Sequence, residues 1–175
     1  MTLIFYGPSR GGKTTVFKQL YQNSPLQKAS DAIMMADKDG RTIYFDYAPF
    51  YLQDMEIKVY TVAGDEARAI QRKILLNRPV NGFLFVVDST KPVESLRCLQ
   101  ELQHFYGGKL GNEIPIVYIL NKQDLPEAKG KRELISMMHL HGSFVYETIA
   151  ITGENVLEAF YSLLREVLLK LMYNM

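Results

Sequence analysis

Gly7-Pro8-Ser9-Arg10-Gly11-Gly12-Lys13-Thr14 fits the spacing G-x-x-x-x-G-K-[ST], a pattern suited to holding phosphate. It follows the apolar run Leu3-Ile4-Phe5-Tyr6 and opens a segment with helical character, the strand–loop–helix setting that the pattern needs. The glycines let the backbone from Gly7 through Ser9, Arg10, Gly11 and Gly12 to Thr15 curl, so that successive N–H groups converge on an anion. The helix start adds partial positive charge. In such a loop Lys13 reaches the outer phosphates and is the main electrostatic catalyst, while the Thr14 hydroxyl binds Mg²⁺. Eight residues in this context rarely arise by chance. They predict a nucleoside polyphosphate site.

A second cluster selects the base. Asn121-Lys122-Gln123-Asp124 follows the apolar run that ends at Leu120, so it stands at the carboxyl end of a predicted strand. The Asp124 carboxylate can accept from both N1–H and the exocyclic amine of guanine, and adenine offers neither donor in that arrangement. Each charge-assisted bond is worth about 1.5–3 kcal/mol, enough to discriminate strongly. The Lys122 stem can cover the base plane, and Asn121 can tie the segment to the phosphate loop. Ala150-Ile151, after the last predicted strand, is placed to offer a backbone N–H to guanine O6. Val86-Val87-Asp88 also resembles the strand end that holds the metal in ATPases, but an N-K-x-D one strand later favours a capping role for Asp88.

These loops require a scaffold that brings strand ends to one edge. Residues 2–6 read as a strand and 13–23 as a helix. Residues 42–51 and 55–62 read as an antiparallel pair turning near Gln53-Asp54. A helix at 66–77, a buried strand at 83–87, a helix at 92–106 and a strand at 114–120 follow. Helix 131–139, strand 143–150 and a terminal helix at 154–172 complete the order. Residues 24–41 carry no clear periodicity, and loops that long are commonly functional. The alternation predicts one domain over 1–175: a doubly wound, mostly parallel six-stranded sheet with one antiparallel edge strand and helices on both faces. In that arrangement ligands bind at the carboxyl ends of the strands.

The chain has 175 residues, 47% of them hydrophobic, which suits a globular domain. A formal net charge of +1 with scattered Lys and Arg argues against a nucleic-acid surface. The single Cys98 excludes an internal disulfide and reads as a packing residue in a reduced compartment. No apolar run reaches the length of a membrane span, and no lipidation signal is recognised at either end, so a cytoplasmic protein without a direct membrane anchor is expected.

Taken together, the phosphate loop, the x-x-x-G at 61–64, N-K-x-D and the terminal loop resemble a Ras-superfamily small GTPase over nearly the whole chain. Three stretches are similar to the MglA-type gliding-motility and polarity GTPases of bacteria. They are Tyr6-Gly7-Pro8 with Gly12-Lys13-Thr14-Thr15, Arg41-Thr42-Ile43-Tyr44-Phe45-Asp46-Tyr47, and Tyr60-Thr61-Val62-Ala63-Gly64. The resemblance implies a GTP/GDP switch in polarity or motility, with Mg²⁺ as cofactor. It implies an activator (a small roadblock-type dimer), an exchange factor and effectors as partners.

By the same resemblance, Thr42 closes over the γ-phosphate and completes the metal shell, Gly64 offers its N–H to that phosphate, and Arg41 is an arginine finger supplied within the chain. Where most small GTPases place a metal-side aspartate this chain has Thr61, and Asp46 on the neighbouring strand is the substitute, holding a metal-bound water. Its alternative is an ordinary strand-face carboxylate.

Two residues depart from the relatives. Asp65 stands where they carry the glutamine that orients the attacking water. Ionised, it repels the γ-phosphate by about 4 kcal/mol at about 4 Å and an effective dielectric of about 20. Ser9 replaces a glycine and crowds the same phosphate. Slow intrinsic hydrolysis is therefore expected, and a GTP-holding module with negligible hydrolysis is the alternative. Met34, Met35, Tyr44, Tyr47, Phe50 and Tyr51 are the candidate partner face, with strand packing as the competing explanation.

Overall fold

Alternation along the central strands divides the apolar residues between two layers. A computed structural model describes residues 1–34, 38, 45–64, 69–140 and 144–173 of the chain. In β1 (Thr2–Tyr6), Leu3 and Phe5 face one cluster while Ile4 and Tyr6 face the other. The same period of two separates Leu84 and Val86 from Phe83, Phe85 and Val87 in β5 (Gly82–Asp88). Strand β6 (Ile116–Asn121) divides Val117 and Ile119 from Tyr118 and Leu120 in the same way. Strands apolar on both faces must be covered twice, which is why helices lie on both sides.

The first cluster is closed by α1 (Lys13–Asn23), through Val16, Phe17 and Leu20, and by α5 (Val156–Tyr173), through Val156, Ala159, Phe160, Leu163 and Val167. The second is closed by α2 (Ala69–Leu76), α3 (Pro92–Tyr106) and α4 (Lys131–Met138). Pro92 opens α3, where a missing N–H costs nothing, and Gly107 caps it with its N–H on the Gln103 carbonyl. Phe5 and Phe160 meet edge to face at 6.4 Å, joining α5 to the middle of the sheet.

The sheet has seven strands in the order β2-β3-β4-β1-β5-β6-β7, with β2 at Gln27–Lys28, β3 at Phe45–Leu52, β4 at Met55–Val62 and β7 at Val145–Glu147. All ladders are parallel except β2 with β3 and β3 with β4. The doubly wound, mostly parallel architecture is the expected one, with β3 as the strand that runs against the rest. The seventh strand is the difference. Gln27–Lys28 is two residues long, pairs only with Tyr51 and Phe50, and lies inside the aperiodic stretch 24–41. It is too short to show a period, and β3 supplies its order. Pro49 explains the brevity. Its carbonyl accepts from Ala29 N at 3.0 Å, so its donorless nitrogen faces the outer strand. Pairing resumes only at the Ile33–Tyr47 bridge, whose two N–H···O bonds are both 2.8 Å.

The β3–β4 hairpin turns at Gln53-Asp54 as expected, with Leu52 opposite Met55 and Gln53 at φ 54°. Helix α5 should be the element on which the core most depends. Phe160→Ala is expected to destabilise the fold by about 3–5 kcal/mol, read from the urea midpoint at an unchanged slope.

Candidate functional site

Four loops meet at one edge of the sheet because β1, β5, β6 and β7 all end there. Strand β3 runs the other way, so its beginning rather than its end reaches that edge, and Asp46 sits opposite Thr61 near the end of β4. The edge therefore carries the phosphate loop, Asp88-Ser89-Thr90, Asn121-Lys122-Gln123-Asp124, Thr148-Ile149-Ala150 and the Asp46–Thr61 pair.

The phosphate loop has the geometry its glycines predict. Gly7 has φ 147°, and a Cβ there would lie 2.1 Å from the Val86 carbonyl oxygen. Gly12 has φ 101°, and its Cβ would lie 2.2 Å from Asn121 Nδ2. Any side chain at these two positions pushes the loop off its neighbours. Gly12 also stands at the start of α1, which has no side-chain cap and no acidic residue in its first turn, so its N–H groups and its dipole are directed at the loop's concavity. Ser9 is half-buried, Arg10 is exposed at φ 58°, Gly11 is buried, and Gly12 and Thr15 are half-buried. Lys13 is buried, with Nζ donating to Gly7 O at 2.9 Å and Pro8 O at 2.6 Å. Burial lowers its pKa to about 8.

Asn121 joins the two halves of the site. Its Nδ2 donates to Gly11 O at 3.0 Å, while its Oδ1 accepts from Ala150 N at 3.0 Å and from Thr148 Oγ1 at 3.4 Å. Ala150 N–H thus has a protein partner, while the next residue, Ile151, is exposed. Lys122 has φ 70° and its Nζ pairs with Asp88 Oδ2 at 2.5 Å. Asp88 Oδ1 accepts from Thr90 N and Thr90 Oγ1. Asp88 is therefore a cap and a brace for Lys122, beside the N-K-x-D loop rather than beside Thr14 and Asp46. The brace is a residue pairing that sequence reasoning missed, because a contact between positions 88 and 122 leaves no local pattern. Asp124 is exposed at the same loop.

At the phosphate side, Asp46 Oδ2 accepts from Thr14 Oγ1 at 2.9 Å and from Thr61 Oγ1 at 2.7 Å. Asp46 and Thr61 are both fully buried. Hard oxygen donors of this kind suit Mg²⁺, which keeps several waters and takes few protein ligands. No cluster of three or more His, Cys, Asp or Glu occurs among the described residues. A cation here would rely on Thr14, the Asp46 carboxylate and phosphate oxygens, and the residues present fit that. Gly64 closes the edge: a Cβ on it would come 2.4 Å from Ser9 N and 2.8 Å from Lys13 Nζ. Arg41, Thr42, Tyr44, Met35 and Asp65 lie outside the described residues. Of the expected partner face, Phe50 is core and Tyr47 stacks on Tyr60 at 4.8 Å, while Met34 and Tyr51 are exposed together with Ile33 and Phe45. Strand packing takes Phe50 wholly and Tyr47 in part.

A lysine with a pKa near 8 sets a pH dependence. Below that value the ammonium is already charged, and phosphate binding needs no proton. Above it, binding must recruit one, because phosphate favours the charged form. Nucleoside diphosphate affinity is expected to be flat up to about pH 8 and to fall by up to about tenfold per unit beyond it. Calorimetry in buffers of different ionisation enthalpy should report the proton uptake.

The geometry has counterparts among known proteins. Residues 1–167 match the profile of the ADP-ribosylation factor family. The mutual gliding-motility protein MglA of Myxococcus xanthus is 30% identical over 179 residues, covering 97% of this chain and 91% of that protein. ADP-ribosylation factor-like protein 2 of Drosophila melanogaster is 25% identical over 173 residues, covering 95% of this chain and 87% of its own length. The fold is shared with the Arl6 BBS3 small GTPase of Trypanosoma brucei, solved with a bound nucleotide analogue. The TM-score is 0.75 at 18% identity, over 97% of this chain and 98% of that one. With a phosphate loop and an N-K-x-D segment joined by Asn121 at one sheet edge, the chain belongs to the ADP-ribosylation factor family of small GTPases.

Proposed function

We propose that this protein is a guanine-nucleotide switch that binds GDP and GTP with Mg²⁺ and hydrolyses GTP slowly, at a rate set by an activator protein. The observation that carries this reading is the Asn121 bridge, which fixes a phosphate-holding loop and a guanine-reading loop at a set separation. Gly7, Ser9, Arg10, Gly11, Gly12 and Thr15 supply the backbone cradle, and Lys13 neutralises charge on the outer phosphates. Mg²⁺, when bound, neutralises the phosphate oxygens, and Thr14, Thr42 and Asp46 would hold it. Asp124 accepts the guanine N1–H and amine, Lys122 covers the base, and the Ala150-Ile151 turn meets O6. Thr42 and Gly64 sense the γ-phosphate, Arg41 stabilises charge on the transferring group, and Asp65 takes the place of the water-orienting residue.

Likeness to the gliding-motility protein supports a role in cell polarity or motility in the cytoplasm. Activator, exchange factor and effectors would meet the exposed Ile33, Met34, Phe45 and Tyr51 along β3 and the segment paired with it, and a roadblock-type dimer is the activator that this likeness suggests. A second reading, a GTP-holding interaction module, is favoured by residue types: a carboxylate at 65 cannot donate to phosphate, and Ser9 adds bulk where relatives have none.

Calorimetry with GDP, GTP, ADP and ATP tests the first reading. Guanosine phosphates are expected to bind and adenosine phosphates to bind far more weakly; the reverse order, or no binding at all, would overturn it. Asp124→Ala should lose about 3 kcal/mol or more of guanine affinity, a hundredfold or greater rise in the Kd for GDP. Asp46→Asn should remove most of the Mg²⁺ dependence of GDP affinity while leaving the Mg²⁺-free affinity within about twofold. Phosphate release followed with Asp65→Gln separates the two readings, since a switch held back by its carboxylate should speed up and a pure holding module should not.

A further inference from the structure

Arg72 on α2 and Glu101 on α3 have no part in the scheme above, yet they join its second-switch glycine to the body of the protein. Arg72 is 7% exposed although it is always charged. Its Nη1 donates to the Ala63 carbonyl at 3.3 Å, and its Nη2 reaches both Glu101 carboxylate oxygens, at 3.3 and 3.4 Å. Tyr6, the last residue of β1 before the phosphate loop, lies beneath the pair. Its hydroxyl is buried with no well-formed hydrogen bond among the described residues. Burial first, and then the neighbouring Glu101 charge, raise the pKa of that phenol. The junction of β1, α2 and α3 thus buries most of a guanidinium, and Glu101 is one of the groups that hold it there.

Ala63 immediately precedes Gly64, and Gly64 lies flush on the phosphate loop, its absent Cβ only 2.4 Å from Ser9 N and 2.6 Å from Pro8 C. A third phosphate gripped from both sides needs an oxygen about 2.9 Å from each donor. So close an approach of the two backbones leaves little room for that oxygen between them. Triphosphate entry therefore requires Ala63-Gly64 to back away from Ser9, and Arg72 anchors the Ala63 carbonyl to α3.

We infer that the Arg72–Glu101 pair is a latch that holds Gly64 on the phosphate loop and so sets a preference for nucleoside diphosphate over triphosphate. The inference rests on the guanine-nucleotide reading above and adds to it two positioning residues that touch no nucleotide. Because Glu101 is only partly buried, its share is moderate.

The test measures GDP and non-hydrolysable GTP analogue affinities of the full chain, with Mg²⁺, by calorimetry. Glu101→Ala should move the ratio of the two Kd values toward the triphosphate by roughly threefold to tenfold, chiefly by tightening triphosphate binding. Glu101→Gln, which keeps an acceptor but loses the charge, should move it less and in the same direction. Hydrogen exchange at Ala63 and Gly64 in the GDP form should quicken in the same order. Arg72→Lys, which keeps the charge without the two-armed geometry, carries the test if Glu101→Ala does not fold. A wild-type chain that ignores guanine nucleotides sinks the functional reading. A wild-type chain that binds both, with variants whose two affinities stay unchanged or weaken equally, overturns the latch alone.

Discussion

One side chain, Asn121, fixes the geometry of the site. Its amide donates to the loop after β1 and accepts from the turn after β7, so three chain segments far apart in sequence share one rigid contact. The bridge is buried, and a buried amide with both ends bonded is stronger and costlier to break than an exposed one. It also accounts for Gly12, since any side chain there would occupy the position of the Asn121 amide nitrogen. The glycine and the asparagine are one device seen from two places in the chain.

The Asp46 side of the site is built on the opposite logic. Strands β1, β5 and β6 deliver loops by ending at the edge, whereas β3 delivers Asp46 by beginning there. A carboxylate thereby reaches Thr14 and Thr61 without any lengthening of β4. The threonine at position 61 and the aspartate at 46 are therefore complementary. Each sits where the hairpin register brings the other within bonding distance, and neither explains itself alone.

Much of this was legible in the sequence, for identifiable reasons. The phosphate loop and N-K-x-D are contiguous, so their chemistry is written in neighbouring letters. Helix 92–106 and the hairpin turn at Gln53-Asp54 follow from apolar period and chain reversal. What the sequence did not reveal is long-range pairing. The Lys122–Asp88 brace and the Arg72 contact with Ala63 and Glu101 depend on which strand and helix ends meet in space, and no periodicity encodes that. The two-residue strand at Gln27–Lys28 was hidden for another reason: its order is borrowed from β3, not from its own side chains. Phe50 was ambiguous because an aromatic strand residue reads alike on either face, and its full burial and its contact with Tyr21 at 6.1 Å show it turned inward.

Pro49 has an effect at the opposite margin of the molecule. A sheet that ends in a long ladder of open donors invites a second copy to stack alongside it and propagate. Here the outermost ribbon is two residues long, because the imide behind it offers no proton to extend the pairing. A single ring closure in the backbone thus shortens the ladder at this rim.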